Sequence, residues 1–302
     1  MQETNRRNFN AVLMALVAVV LWSLNFIIAR GIVGKIPPVS LAFFRWASAA
    51  VFLFPFAIRK TKEEWHAIKK SFPYFFWVSL SGITLFNTFV YFGGHHTTAT
   101  NLAIIGTTSS PIFSLVLARI FLKEKIDFYK FTGMALCIAG ILILLSGGDW
   151  DNLIKFRFTK GDKWVLAGAF CFAVYNILVR KKPGNISSGS FLFVAITFGA
   201  LMLLPFYLME RTATPAIAWN GELVLIILFL GAGASVLAYT CWNVALNVLG
   251  AGRTALFGNL LPIFSSIEAV LILNESFMTL HFVSMVLVFA GIVLSNLKIF
   301  KS

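Results

Sequence analysis

Residues 99–124 read ATNLAIIGTTSSPIFSLVLARIFLKE, and residues 250–275 read GAGRTALFGNLLPIFSSIEAVLILNE. Laid over each other, the two stretches share Pro111-Ile112-Phe113-Ser114 with Pro262-Ile263-Phe264-Ser265, then Leu122 with Leu273 and Glu124 with Glu275. The alignment runs on without a gap. Met134 meets Met285, Leu136 meets Leu287, and Ala139-Gly140-Ile141 meets Ala290-Gly291-Ile292. Upstream, Gly82 meets Gly233, Tyr91 meets Trp242, and Trp22 meets Phe172. Single identities between apolar segments carry little weight, but a gap-free block from Pro111 to Ile141 marks an internal repeat.

The composition says what is being repeated. Of 302 residues, 59% are hydrophobic and 12% charged, and mean hydropathy is +0.85. Soluble domains carry about 25% charged residues, so a soluble enzyme, a disordered chain and a secreted disulfide scaffold are excluded. A bilayer core takes about 20 apolar residues per helix. Ten such runs are expected, at 11–29, 39–58, 72–93, 99–122, 129–147, 163–180, 188–209, 222–244, 251–273 and 280–297. The first follows Arg6 and Arg7 without a small-residue cleavage pattern, so it reads as a retained span. The net charge of +13 does not form one basic face, which argues against nucleic acid. Most cations, among them Arg59, Lys60, Lys69, Lys70, Lys125, Arg180, Lys181 and Lys298, fall on the side that also holds both termini. Fewer, such as Arg30, Lys35, Lys155, Arg157 and Arg211, fall opposite. That bias places both termini in the cytoplasm. Trp65, Trp150, Trp164 and Trp219 sit near span ends as interfacial anchors. Cys137, Cys171 and Cys241 lie inside apolar runs and read as packing residues.

Five spans per repeat is an odd number, so the second copy enters the membrane from the opposite side. The expected fold is an all-α membrane protein of ten transmembrane helices in two inverted five-helix repeats, residues 1–148 and 149–302. Inverted halves can exchange conformations, which gives alternating access with a site between them. Pro111 and Pro262 occupy equivalent mid-span positions. Each removes a backbone hydrogen bond that must be replaced by protein or a wet cavity, so both are hinge candidates.

These residues resemble the ten-span transporters of the drug/metabolite transporter superfamily, in the EamA branch, over nearly the whole chain. The resemblance rests on small residues, a proline and an acid at the ends of spans 4 and 9: Ala99, Ala103, Pro111 and Glu124, then Gly250, Ala255, Pro262 and Glu275. Trp22-Ser23, Arg45 and Ala173-x-Tyr175 also fit. The family's usual glycine before the acid is replaced by Lys123 and Asn274. Length and aromatic content are most similar to bacterial amino-acid exporters, including the aromatic type. The resemblance implies a transporter in the bacterial inner membrane, not an enzyme.

Ionisable groups inside spans are functional candidates. Glu268 is the acid deepest within a span, and is a candidate to carry a coupling proton or to bind an amine, with pairing to a neighbouring helix or reaching the outer interface as the structural alternatives. Glu124 and Glu275 favour a structural role at the N-terminus of the next helix. Arg45 lies within snorkelling reach of the interface, with carboxylate binding as the alternative. Arg119 reads as snorkelling, and His95 and His96 as solvated. No lysine lies deep in a span, which disfavours phosphorylated cargo. No acid lies in span 1, which disfavours cationic drugs. A neutral or zwitterionic small molecule remains, suited to amides, hydroxyls and aromatic rings. Asn25, Asn87, Tyr91, Tyr175, Asn176, Tyr239, Trp242 and Asn243 are the candidate binding residues; Thr88, Asn101, Thr107, Thr108 and Asn259 are further polar groups within the spans. Gly140 and Gly291 read as packing or dimer contacts, and monomer and homodimer both remain open. No cofactor or metal is expected, nor any ATP-binding motif. The leading function is export of amino acids and related metabolites; a broad small-molecule or drug efflux carrier is the alternative, and a membrane enzyme lacks any converging catalytic cluster.

Overall fold

The computed structural model describes residues 2–32, 34–97, 99–146, 149, 151, 159–273 and 279–301. Glu275, Asn274, Trp150, Lys155 and Arg157 lie outside them, and the side chains of Arg30, His95 and Asn101 are likewise not described. The described residues are helical apart from short connections, with no strand. Among the described residues ten long helical rods follow one another, with a short helix, Trp65–Lys70, between the second and the third. They are α1 (Gln2–Gly31), α2 (Pro38–Glu63), α3 (Phe72–Ser79, a π-helical stretch Leu80–Leu85, then Phe86–His96), α4 (Ala99–Phe121) and α5 (Phe128–Ser146). Then come α6 (Lys160–Arg180), α7 (Ser188–Ala213), α8 (Gly221–Phe229, π-helical Leu230–Leu237, Ala238–Leu249), α9 (Ala251–Leu256, a 3-10 turn Phe257–Leu260, Leu261–Leu273) and α10 (Thr279–Lys301).

Eight of these contain segments long and apolar enough to cross a membrane, so the protein is a multi-pass membrane protein. Among the described residues α4 supplies a shorter apolar stretch, Ile105–Phe121, and α9 falls short. These two carry the matched prolines. They differ locally: α4 runs unbroken through Pro111, whereas α9 loosens into the 3-10 turn just before Pro262.

The packing pairs α2 with α7, α5 with α10, α1 with α8 and α9, and α6 with α3 and α4. Exchanging α1–α5 for α6–α10 maps this set of partners onto itself. The helices α4 and α9 meet mainly through Ala251–Leu256, and touch far less along Leu261–Leu273.

Side-chain capping ties the central pair together. Pro38 starts α2, where its missing N–H costs nothing. Glu210, near the end of α7, accepts from the Val39 and Ser40 amides at 3.1 and 2.6 Å and from the Ser40 hydroxyl at 2.8 Å. Reciprocally, Glu64, just past the end of α2, accepts from the Ser187 amide and hydroxyl at 2.9 and 3.1 Å. Each carboxylate lies at the positive end of its partner helix. Burial pushes the Glu64 carboxyl up, but the Ser187 amide, the Ser190 and Ser187 hydroxyls and Lys60 together hold it below its ordinary value of 4.5. Its contribution is therefore present above that value and is lost as pH falls through the depressed one.

Two expectations for glycine and acid positions are refined. Gly140 and Gly291 serve packing within the chain: a Cβ on Gly291 would stand 2.5 Å from the Gly133 carbonyl, and one on Gly140 would stand 3.0 Å from the Ser284 carbonyl. Glu124 caps the start of α9 instead of the next helix, which it reaches only through Lys130. It accepts from the Ala251 and Gly252 amides at 3.0 and 3.4 Å, at the start of α9. The reason is the turn after α4, where Lys123 adopts a left-handed φ of 56° and the Glu124 amide returns to the Ala118 carbonyl at 3.1 Å. The glycine usual at that position suits this conformation, which strains a side chain by about 1 kcal/mol. Lys123→Gly is therefore expected to raise stability by about 1 kcal/mol, read as a higher Tm of the purified protein. An unchanged or lower Tm would contradict the strain argument.

Candidate functional site

The sequence around the two π-helical stretches is poor in α-helix support: Leu80-Ser81-Gly82-Ile83 in α3 and Gly231-Ala232-Gly233 in α8. A π-helical stretch releases backbone carbonyls from the regular ladder, and such stretches recur at functional sites. Here the released carbonyls receive side chains. The Ala234 carbonyl accepts from the Trp22 indole at 2.9 Å and from Arg45 Nη2 at 3.1 Å. The Gly82 carbonyl accepts from the Tyr239 hydroxyl at 3.1 Å.

Trp22 is the centre of an aromatic cluster. Its ring lies 5.0 Å from Trp242, 5.5 Å from Tyr239 and 5.7 Å from Phe172. Phe172 stacks on Phe86 at 4.6 Å and on Tyr175 at 5.9 Å. Gly82 is required beside this cluster, since a Cβ there would fall 2.1 Å from the Tyr175 ring. The polar tips of the rings are satisfied by the neighbouring amides. Tyr175 donates to Asn243 Oδ1 at 2.9 Å, Trp242 donates to Asn176 Oδ1 at 2.9 Å, and Asn176 donates to Ser114 Oγ at 3.1 Å. Ser114 follows Pro111 by three residues, so the network reaches the proline helix.

The structure thus brings Tyr175, Asn176, Tyr239, Trp242 and Asn243 into one buried polar-aromatic network between α1, α6 and α8, with a link to α4. Asn87 and Tyr91 stand beside it on α3, where both oxygens lie 3.4 Å from Arg45 Nη1. Asn25 is buried one turn from Trp22, and its Oδ1 meets no donor among the described residues. Glu268 packs against α1, accepting from Ser23 at 2.7 Å through Oε1, while Oε2 meets no donor among the described residues. Pro111 is buried and Pro262 half-buried. Arg119 and His96 are exposed, away from the network.

Sequence reasoning gave Ser23 and Ser114 no part in the site, reading one only as part of a family-like pair and the other only as part of the repeat, and it passed over Ser235, which has no distinguishing pattern among many membrane serines. It also read Arg45 as snorkelling, with carboxylate binding as the alternative. Arg45 instead turns inward and is 1% exposed, because the π-helical stretch of α8 offers it the Ser235 hydroxyl at 2.7 Å and the Ala234 carbonyl. The signal was there, as a cation inside an apolar run, but its direction was not.

A network of neutral amides, hydroxyls and rings between two sets of helices is suited to holding and passing a small molecule. Among the described residues it brings together no nucleophile and base. Comparison with known proteins points to transporters. The sequence profile of the EamA-like transporter family matches twice, at residues 9–146 and 159–297. An uncharacterized transporter of Archaeoglobus fulgidus is 27% identical, over 95% of this chain and 97% of that protein. A probable amino-acid metabolite efflux pump of Escherichia coli is 24% identical, over 92% of each. An S-adenosylmethionine uptake transporter of Rickettsia prowazekii is 24% identical, over 91% of this chain and 88% of that protein. A solved crystal structure superposes with a TM-score of 0.72 at 18% identity, over 96% of this chain and 98% of that one. With the profile covering residues 9–146 and 159–297, the chain belongs to the EamA-like transporter family, of the drug/metabolite transporter superfamily.

Proposed function

We propose that the protein is a ten-span secondary transporter that exports amino acids and related metabolites from the bacterial cytoplasm by alternating access. Its units are two inverted five-helix repeats, residues 1–148 and 149–302, with both termini cytoplasmic. The observation that carries this reading is the uncharged network of Tyr175, Asn176, Tyr239, Trp242 and Asn243 around Trp22. Amides and hydroxyls can serve both ends of a zwitterion, and the rings can cover an ammonium or an apolar side chain. The partner exchange between α1–α5 and α6–α10 supports the repeat. So does contact between equivalent residues: Trp22 touches Phe172, and the Cys137 thiol donates to the Val288 carbonyl at 3.5 Å. The named cargoes of two relatives, amino-acid metabolites and S-adenosylmethionine, support the substrate class. Pro111 and Pro262 are the hinges. Glu268, with one carboxylate oxygen that meets no donor among the described residues, is the group that would carry a coupling proton.

The test is efflux of a panel of labelled amino acids from proteoliposomes, with and without a pH gradient. Saturable flux of at least one amino acid is expected. A gradient-dependent flux that Glu268→Gln abolishes supports proton antiport. Equal flux in both proteins without a gradient removes Glu268 from the mechanism and leaves a facilitator. Flux of none of the panel, with uptake of amine-free aromatic compounds, would replace amino-acid export by broad efflux.

A further inference from the structure

We infer that Arg45 is the anchor for a carboxylate group on the transported molecule. This deepens the reading above, which places a small zwitterion among the same helices, by naming the residue that holds one end of it.

Arg45 stands seven residues after Pro38, about 10 Å along α2 at 1.5 Å per residue, close enough for its side chain to reach the interface. It does not do so and is 1% exposed. Every polar group it meets is neutral: Ser235 Oγ at 2.7 Å, the Ala234 carbonyl at 3.1 Å, Asn87 Oδ1 at 3.4 Å and Tyr91 Oη at 3.4 Å. Its remaining close partner is the Trp46 ring, 4.9 Å from the guanidinium carbon. No carboxylate pairs with it among the described residues. Glu210 is engaged at the start of α2 and Glu268 with Ser23.

A guanidinium keeps its charge in proteins. Burying that charge without a counter-ion is costly, and hydrogen bonds to neutral oxygens offset the cost only in part. The two groups that hold Nε and Nη2 are short contacts from α8, so they fix the plane of the guanidinium. The two contacts at Nη1 are long, and both come from α3, where Tyr91 is only half-buried. The Nη1 edge is therefore the replaceable one, since its two partners are the longest contacts and one of them, Tyr91, keeps some exposure. A carboxylate arriving there gains charge-assisted hydrogen bonds and supplies the missing counter-charge. Asn87 and Tyr91 would then turn from the guanidinium to the cargo. A neutral or purely cationic molecule gains neither.

Binding is measured by intrinsic tryptophan fluorescence of the full-length protein in nanodiscs, with phenylalanine against phenylalanine amide and phenylacetate against phenylacetamide. The wild type is expected to prefer the acid of each pair by roughly 10- to 100-fold, the range for a hydrogen bond to a charged group. Arg45→Gln is expected to erase that preference, and Arg45→Lys to keep part of it. Equal affinity for acid and amide in the wild type overturns the inference, whether or not the variants fold. So does an equal loss for both members of a pair in folded Arg45→Gln, which would mean a packing role alone. If no amino acid binds or moves, amino-acid export fails, while the phenylacetate pair still decides the role of Arg45.

Discussion

Replacing Glu124 by alanine lowers the stability of the protein by roughly 3–5 kcal/mol, the range for breaking a buried ion pair by removing one partner. Glu124 joins three elements. It ends the turn after α4, accepts from the first amides of α9, and pairs with Lys130 of α5 at 3.5 Å. The side chains of Glu124 and Lys130 are 16% and 7% exposed, so solvent screens the pair little. Gly250 is bound into the same arrangement by its φ of 88° and by lack of space, since a Cβ there would stand 2.8 Å from Glu124 Oε1. Alanine at 124 leaves the Lys130 ammonium without its partner and opens the start of α9. A double-mutant cycle separates the two losses. Lys130→Met should cost less in the Glu124→Gln background than in the wild type, because no buried charge is then stranded. Strictly additive changes in Tm would show that the pair contributes nothing and leave only the cap, worth about 1 kcal/mol. This contact also lies at the end where α4 and α9 are closest. The Glu124→Gln protein should therefore show a changed transport rate even where it folds.

The second large effect lies between α5 and α10. The backbones approach until a Cβ on Gly133 would be 2.4 Å from the Gly291 carbonyl, and one on Gly291 would be 2.5 Å from the Gly133 carbonyl. In a membrane, helix association depends on such close packing, since lipid is as apolar as a leucine side chain. The obstacle at each site is backbone, which cannot turn aside as a flexible side chain can. Gly133→Leu or Gly291→Leu should force the helices apart, at a cost above the 1–3 kcal/mol or so typical of overpacking. The expected result is loss of folded protein, read by size-exclusion profile and protease sensitivity. Gly258→Ala provides the contrast, because nothing lies within 4 Å of a Cβ there. It should be neutral. Monodisperse, stable Gly291→Leu protein would show that the approach of α5 and α10 is not needed.

Much of the fold was legible because the relevant signals are local. A run of about 20 apolar residues is read off the chain without knowing its partners, and the helices found agree closely with the expected runs. The block from Pro111 to Ile141 exposes the repeat in the same way. The two proline helices are the instructive departure. Their sequences match, but α9 breaks at Phe257–Leu260 and α4 does not, so a shared motif did not impose a shared local structure. For the site, residue type singled out Tyr175, Asn176, Tyr239, Trp242 and Asn243, because amides and rings within apolar runs are conspicuous.

By itself the sequence determined a multi-pass helical chain, its internal likeness, its family and the set of side chains that would collect inside it. Only the tertiary structure decided which of those side chains meet. It turned Arg45 inward, placed Trp22 at the centre of the rings, joined Trp242 to Asn176 and made Glu124 cap the start of α9 while pairing with Lys130 of α5. The physical reason is that helices apolar on nearly every face carry little periodic signal to say which side turns inward. Their facing is set by contacts between distant segments: a glycine that admits a backbone, a π-helical stretch that frees a carbonyl, and a left-handed residue that aims a carboxylate.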